Sequence, residues 1–217
     1  MQTAEVVVID YGVGNLLSVR RGLERCGAQV TITADHQAIL AAPRVVLPGV
    51  GAFADAMAEL RSRNLIDVLK ELPARGTPLL GICLGMQILL DESEEFGMSS
   101  GLGLIQGRVT PIDRTTLTGE PHKIPHIGWN GLIYGEMTED WHGTILQQLT
   151  PGNEVYFVHS YSAHPVDPQT RLADCIYNGR VISAVIRSGK VYGCQFHPEK
   201  SADFGLALYR NFLSWKP

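Results

Sequence analysis

The chain has 217 residues and a mass of 23.7 kDa, and its 45% hydrophobic content is enough to enclose a substantial core within one α/β domain, residues 1–217. A net charge of -4 with acids and bases interspersed leaves no basic face for nucleic acid and no polybasic membrane anchor. No run approaches the roughly 20 apolar residues needed to cross a bilayer, and MQTAEVVVID lacks the basic start of a secretory leader.

A cytoplasmic location is therefore expected, with Cys26, Cys83, Cys175 and Cys194 as free thiols. In chain order, EVVVID (residues 5–10) reads as a strand, followed by a helix over residues 15–26 that Gly27 stops. Residues 30–33 repeat the strand signal, Asp35 suits the N-cap of a short helix, and residues 45–47 form a third strand running into PGVG. Asn64 is placed to cap a helix carrying Leu65, Val68 and Leu69. LLGIC then leads directly into LGMQILLDE, a strand-to-helix joint at Cys83. This alternation predicts a doubly wound, mostly parallel sheet that gathers ligands at the carboxyl ends of its strands.

The second half changes texture. β-Branched and aromatic runs at residues 155–158, 180–186 and 190–196, separated by Gly and Asn, predict added strands, some antiparallel. A helix over residues 202–214 closes the chain, and the glycine-rich residues 97–107 read as a surface loop.

Two segments carry chemistry. GICLG, residues 81–85, places a cysteine between small neighbours at a tight turn, the cysteine counterpart of a G-x-S-x-G nucleophile elbow. Such a turn lifts the sulfur clear of the sheet, aims the following helix's positive end at it, and lets the Leu84 N–H serve as half of an oxyanion hole. By itself the pentapeptide fits a buried structural cysteine equally well. In QFHPEKS, residues 195–201, an extended backbone would project His197 and Glu199 to one side, with Pro198 marking the strand's end. Imidazole beside carboxylate is the base-and-orienter half of a triad, although an isolated HPE is more often a surface histidine with an incidental neighbour.

Together GICLGMQ and HPEKS resemble the class I glutamine amidotransferases, in which Cys, His and Glu stand in this order on an α/β sheet. The resemblance implies Cys83 as nucleophile, His197 as general acid/base and Glu199 as its partner. It implies that Gln87 touches bound glutamine and that PGVG supplies the second oxyanion element, with Gly51 lining the pocket. It also implies that His159, Ser160 and Tyr161 hold the α-amino acid end of glutamine, with Glu95 nearby.

IDYGVGN, PHIGWN and YFVHSY are similar to the histidine-biosynthesis branch of that family. There the glutaminase is a separate protein that forms a heterodimer with a (β/α)8 barrel cyclase and passes ammonia into the barrel. Asn15, Trp129, Tyr156 and Lys200 would lie towards that partner, while core packing is an equally natural role for either aromatic residue. Branches serving pyridoxal phosphate, anthranilate, GMP or carbamoyl phosphate synthesis keep the triad and change the partner. A noncatalytic scaffold would have no use for Cys83, His197 and Glu199.

No cofactor is expected. GVGNLL begins like a dinucleotide fingerprint but has Leu17 where the third glycine belongs. His122 and His126 stand four apart, yet Pro125 argues against a helix between them and no further ligand accompanies them, so no metal is expected either.

Overall fold

The computed structural model describes residues 4–215, so the opening MQT, read above for a leader, and residues 216–217 lie outside the described residues. The first half alternates: β1 (Ala4–Ile9), α1 (Leu16–Arg25), β2 (Ala28–Thr33), α2 (His36–Ala41), β3 (Val45–Gly49), α3 (Phe53–Ser62), α4 (Leu65–Ala74), β4 (Leu79–Cys83) and α5 (Leu84–Gln87). Strands dominate the rest: β5 (Glu92–Ser93), β6 (Ser99–Ser100), β7 (Gly107–Pro111), β8 (His126–Tyr134), β9 (Glu154–His159), β10 (Tyr161–Pro165), β11 (Arg171–Tyr177), β12 (Arg180–Ser188) and β13 (Val191–Cys194). A final helix, α6 (Ala202–Ser214), follows.

Nine strands form one sheet in the order β2-β1-β3-β4-β13-β12-β11-β8-β9. From β2 to β13 every pairing is parallel, and beyond β13 every pairing is antiparallel. The continuous apolar runs of β3 and β4 follow from their central position, where helices or loops cover both faces. Period-two alternation sorts side chains into two cores: Val6 and Val8 pack with Tyr192, Leu208 and Phe212, whereas Val7 and Ile9 pack with Leu47, Phe53 and Leu69.

Several elements differ from the sequence expectation. Asp35 does cap α2, accepting a 2.8 Å hydrogen bond from the Ala38 N–H. Asn64, by contrast, makes no side-chain cap; it takes the left-handed conformation (φ 55°) that asparagine tolerates, turning α3 into α4. The expected helix through LGMQILLDE stops after one turn. The carbonyls of Ile88, Leu89 and Leu90 are taken by the N–H groups of Leu102, Leu104, Ile105 and Gly103 rather than by the next helical turn. Residues 97–107 are accordingly not a simple surface loop: they include β6, and Leu102 and Ile105 are buried. A second sheet, β10-β7-β5-β6, grows from this region and was not legible in its short polar strands.

Candidate active site

Cys83 ends β4 with φ 55° and ψ -110°, a conformation that costs a non-glycine residue on the order of 1–3 kcal/mol and persists only where the surroundings dictate it. Those surroundings are tight. A Cβ on Gly81 would lie 2.5 Å from the Gly85 carbonyl oxygen, and one on Gly85 would run into the Leu47 carbonyl of β3. Small residues on either side of the cysteine therefore let the elbow nest against the neighbouring strand. The one-turn α5 presents unpaired N–H groups behind Cys83, but it is too short for the strong macrodipole expected of a full helix.

The HPE segment arrives differently from the extended strand expected. β13 ends at Cys194; His197 is still extended (φ -99°), but Pro198–Lys200 form a single 3-10 turn with proline in its first turn. It is this turn, not strand alternation, that brings His197 Nδ1 to Glu199 Oε1 at 2.8 Å. The Ser201 hydroxyl stitches the turn to β9, donating to the His197 carbonyl at 2.7 Å and accepting from the Tyr156 N–H at 2.9 Å. The His197 N–H also donates to the Tyr156 carbonyl, at 3.0 Å. Backbone and side chain thus both fix the imidazole.

With Nδ1 committed to Glu199, the ring's other nitrogen is left to serve Cys83, whose sulfur has the Gln195 amide at 3.7 Å and the Val158 carbonyl at 3.9 Å as its hydrogen-bond partners. Burial alone would lower the imidazole pKa. The nearby Cys83 sulfur and the hydrogen-bonded Glu199 carboxylate outweigh it and push the pKa up to about 9. Cys83 and His197, 114 positions apart in the chain, open into one cavity of about 980 Å³. Gly51, Leu84, Gln87, Glu95, His159, Ser160, Tyr161 and Lys200 line that cavity as well.

Several of these residues, and the segments that carry them, are held by identifiable contacts. The Tyr11 hydroxyl donates to the Pro48 carbonyl at 2.8 Å and so ties PGVG down, while Gly51 has a φ of +99° that a side chain would strain. Glu95 Oε2 accepts from the Phe53 N–H at 2.6 Å, capping α3 where Ala52 has no side chain able to do so. Gln87 donates to the Tyr161 carbonyl at 3.2 Å and to Gln195 Oε1 at 2.9 Å, and the Gln195 amide in turn approaches Cys83 Sγ at 3.7 Å. Sequence reasoning passed over Gln195; its two-residue offset from His197, the parity that was applied to Glu199, would have pointed to it.

Behind the cavity wall, His159 Nδ1 lies 2.8 Å from the Tyr161 carbonyl and its Nε2 lies 3.0 Å from His126 Nδ1. Since a carbonyl only accepts, His159 carries its proton on Nδ1, and His126 must donate from its own Nδ1. Desolvation holds both neutral, with pKa values lowered to about 4 for His126 and about 3 for His159. His122 instead contacts the Asp113 carbonyl and Asn178, so the two histidines spaced four apart have different hydrogen-bond partners although both rings pack on Tyr177. Among the described residues no cluster of three or more His, Cys, Asp or Glu is arranged to hold a metal ion, and no helix is long and apolar enough to cross a membrane.

All four cysteines are free, and burial raises the pKa of Cys26, Cys175 and Cys194. Of the residues expected to face a partner, Trp129 is 50% exposed and Asn15 and Lys200 are exposed. Trp129 meets Tyr156 edge-on at 6.1 Å, and Lys200 Nζ lies 5.6 Å over the Tyr156 ring. Core packing does not account for Trp129.

A strained cysteine elbow on a parallel sheet, facing a glutamate-bound histidine, is the arrangement of a cysteine-dependent amide hydrolase. Residues 7–214 match the family model for class I glutamine amidotransferase, and the chain belongs to that family. It is 50% identical over 210 residues to imidazole glycerol phosphate synthase subunit HisH 1 of Legionella pneumophila (strain Lens), covering 97% of this chain and 99% of that protein. It is 46% identical over 207 residues to imidazole glycerol phosphate synthase subunit HisH of Geobacillus sp. (strain WCH70), covering 95% of each. Among solved structures, a chain of PurLQS from Thermotoga maritima superposes with a TM-score of 0.73 at 17% identity, covering 99% of both chains. A glutamine amidotransferase crystal structure gives a TM-score of 0.70 at 18% identity, covering 95% of this chain and 97% of the other.

Proposed function

We propose that residues 1–217 form a single glutaminase domain, the glutamine-hydrolysing subunit of imidazole glycerol phosphate synthase, acting in the cytoplasm in histidine biosynthesis. The observation that carries this reading is the convergence of Cys83, in its strained elbow, with a His197 that Glu199 holds at 2.8 Å. The near-full-length likeness to subunits bearing the HisH name selects this branch over the other amidotransferases.

The Cys83 thiolate attacks the side-chain amide carbon of glutamine, while N–H groups at Leu84 and near Gly51 stabilise the oxyanion. His197 gives its proton to the departing nitrogen, releasing ammonia and leaving a γ-glutamyl thioester. Water, deprotonated by the same imidazole, cleaves the thioester to glutamate and restores the thiolate–imidazolium pair. Gln87 touches the bound glutamine, and the His159–Tyr161 segment, with Glu95 nearby, holds its amino acid end. No metal or organic cofactor enters this sequence of steps.

Ammonia passes to a (β/α)8 barrel cyclase docked as a heterodimer on the face that carries Asn15, Trp129, Tyr156 and Lys200. The exposed Trp129 beside the Lys200–Tyr156 pair supports that face as the interface. PGVG is held unproductively until the partner and its ligand reshape the site, so the isolated chain is nearly silent.

Ammonia release from glutamine, measured with and without the purified cyclase and its nucleotide ligand, tests the reading. Wild type is expected to be active only in the complex, and Cys83→Ala to lose at least about 10³-fold. Turnover by Cys83→Ala would defeat the assignment, and high activity of the isolated chain would defeat the gating.

A further inference from the structure

Glu199 has a second face. Oε1 takes His197, but Oε2 is fully buried and has no hydrogen-bond partner among the described residues. A buried carboxylate oxygen without a donor is costly. Nearby, the Tyr209 hydroxyl of α6 is in the same position: its side chain is wholly buried and its oxygen has no partner.

The two side chains meet over Gly22 of α1. A Cβ built there would lie 2.8 Å from Tyr209 Cε2, the ring carbon next to the one bearing the hydroxyl, and 3.6 Å from Glu199 Cβ. Glycine at this point leaves room for the phenol to reach the back of the triad. Burial and then the Glu199 charge raise the Tyr209 phenol well above its ordinary range, so it keeps its proton and can only donate to a carboxylate.

We propose that Tyr209 is a positioning residue for the triad: its hydroxyl and Glu199 Oε2, each otherwise without a partner, answer one another as donor and acceptor and keep the carboxylate aimed at His197. The proposal rests on the glutaminase reading only for its catalytic consequence, because Tyr209 acts through Glu199 and His197 and touches no reacting atom. Removing the hydroxyl leaves Oε2 with no donor within reach, so the carboxylate holds His197, and through it Cys83, less firmly.

The test uses the full chain and reads iodoacetamide labelling of Cys83 against pH, with the Cys83 peptide followed by mass spectrometry. Tyr209→Phe removes one oxygen. It is expected to shift the labelling midpoint to higher pH and to lower the rate at pH 6 by about tenfold, as loss of one hydrogen bond to a charged group predicts. Tyr192→Phe removes another buried hydroxyl that also lacks a partner, well outside the triad, and is expected to label like wild type. In the complex with the cyclase, Tyr209→Phe should lower kcat with little change in the KM for glutamine.

Labelling of folded Tyr209→Phe that matches wild type at every pH would overturn the proposal. Should Tyr209→Phe fail to fold, Gly22→Ala decides, since its methyl displaces the Tyr209 ring and is expected to give the same shift; a wild-type profile there would overturn the proposal. Absence of glutaminase activity in the wild-type complex would sink the glutaminase reading and leave the labelling comparison intact.

Discussion

His197 stands between opposing influences, burial pulling its pKa down and the nearby Cys83 sulfur and hydrogen-bonded Glu199 carboxylate pushing it up to about 9. In the proposed mechanism the imidazolium delivers a proton to leaving ammonia, so kcat/KM is expected to fall on an alkaline limb near pH 9. Glu199→Gln keeps an oxygen to accept from Nδ1 but removes the charge. The imidazolium then loses an opposing charge at hydrogen-bond distance, and the limb should move to lower pH by about one unit or more. A pH–rate profile of the variant in complex with the cyclase checks this, and an unmoved limb would show that the carboxylate's charge is not what holds His197 protonated. Cys83, His197 and Glu199 could be picked out as candidates because Cys83 sits between Gly81 and Gly85 and His197 precedes a proline. Tyr209 could not, since a tyrosine inside an amphipathic helix is indistinguishable by pattern from any core aromatic residue.

At the level of elements, the elbow depends on how closely α5 approaches β3. A methyl at Gly85 would collide with the Leu47 carbonyl, and backbone on both sides leaves no flexible side chain to yield. Gly85→Ala is therefore expected to destabilise the fold by about 3 kcal/mol or more, read as a lower midpoint in urea, and to abolish glutaminase activity even where folded protein remains. An active variant of wild-type stability would mean that the elbow can open without cost. The parallel half of the sheet was readable because β1, β3 and β4 are compact apolar runs and the alternating β2 is followed by the capping residue Asp35. α5 could not be read to its true length. Its apolar LGMQILL continues the helical period, and only tertiary hydrogen bonds from Leu102, Gly103, Leu104 and Ile105 end it. For the same reason HPE was read as strand: one 3-10 turn pinned by Ser201 gives the same juxtaposition of His197 and Glu199 as alternation would, and no periodicity distinguishes them.

Over the whole molecule, the buried histidines set a stability optimum between two opposing slopes. His126 and His159 titrate at about 4 and about 3 when folded, against roughly 6.5 in the unfolded chain, so the unfolded state binds more protons across that interval. The stability linked to them is present above about pH 6.5 and is lost progressively as pH falls towards 4 and then 3. His197 has the opposite sign. Its folded pKa of about 9 exceeds the unfolded value, so its contribution is complete below about pH 6.5 and is lost as pH rises through 9. Urea midpoints measured from pH 4.5 to 9.5 should therefore peak near pH 6.5 and fall on both sides. His126→Phe removes one titrating group and also leaves His159 Nε2 without its donor, so it should lower the peak and flatten the acid slope while leaving the alkaline slope in place. Cys83→Ala should flatten the alkaline slope alone, because the thiolate is one of the two groups that hold His197 protonated. An acid slope equally steep with and without His126 would place the acid sensitivity outside this pair.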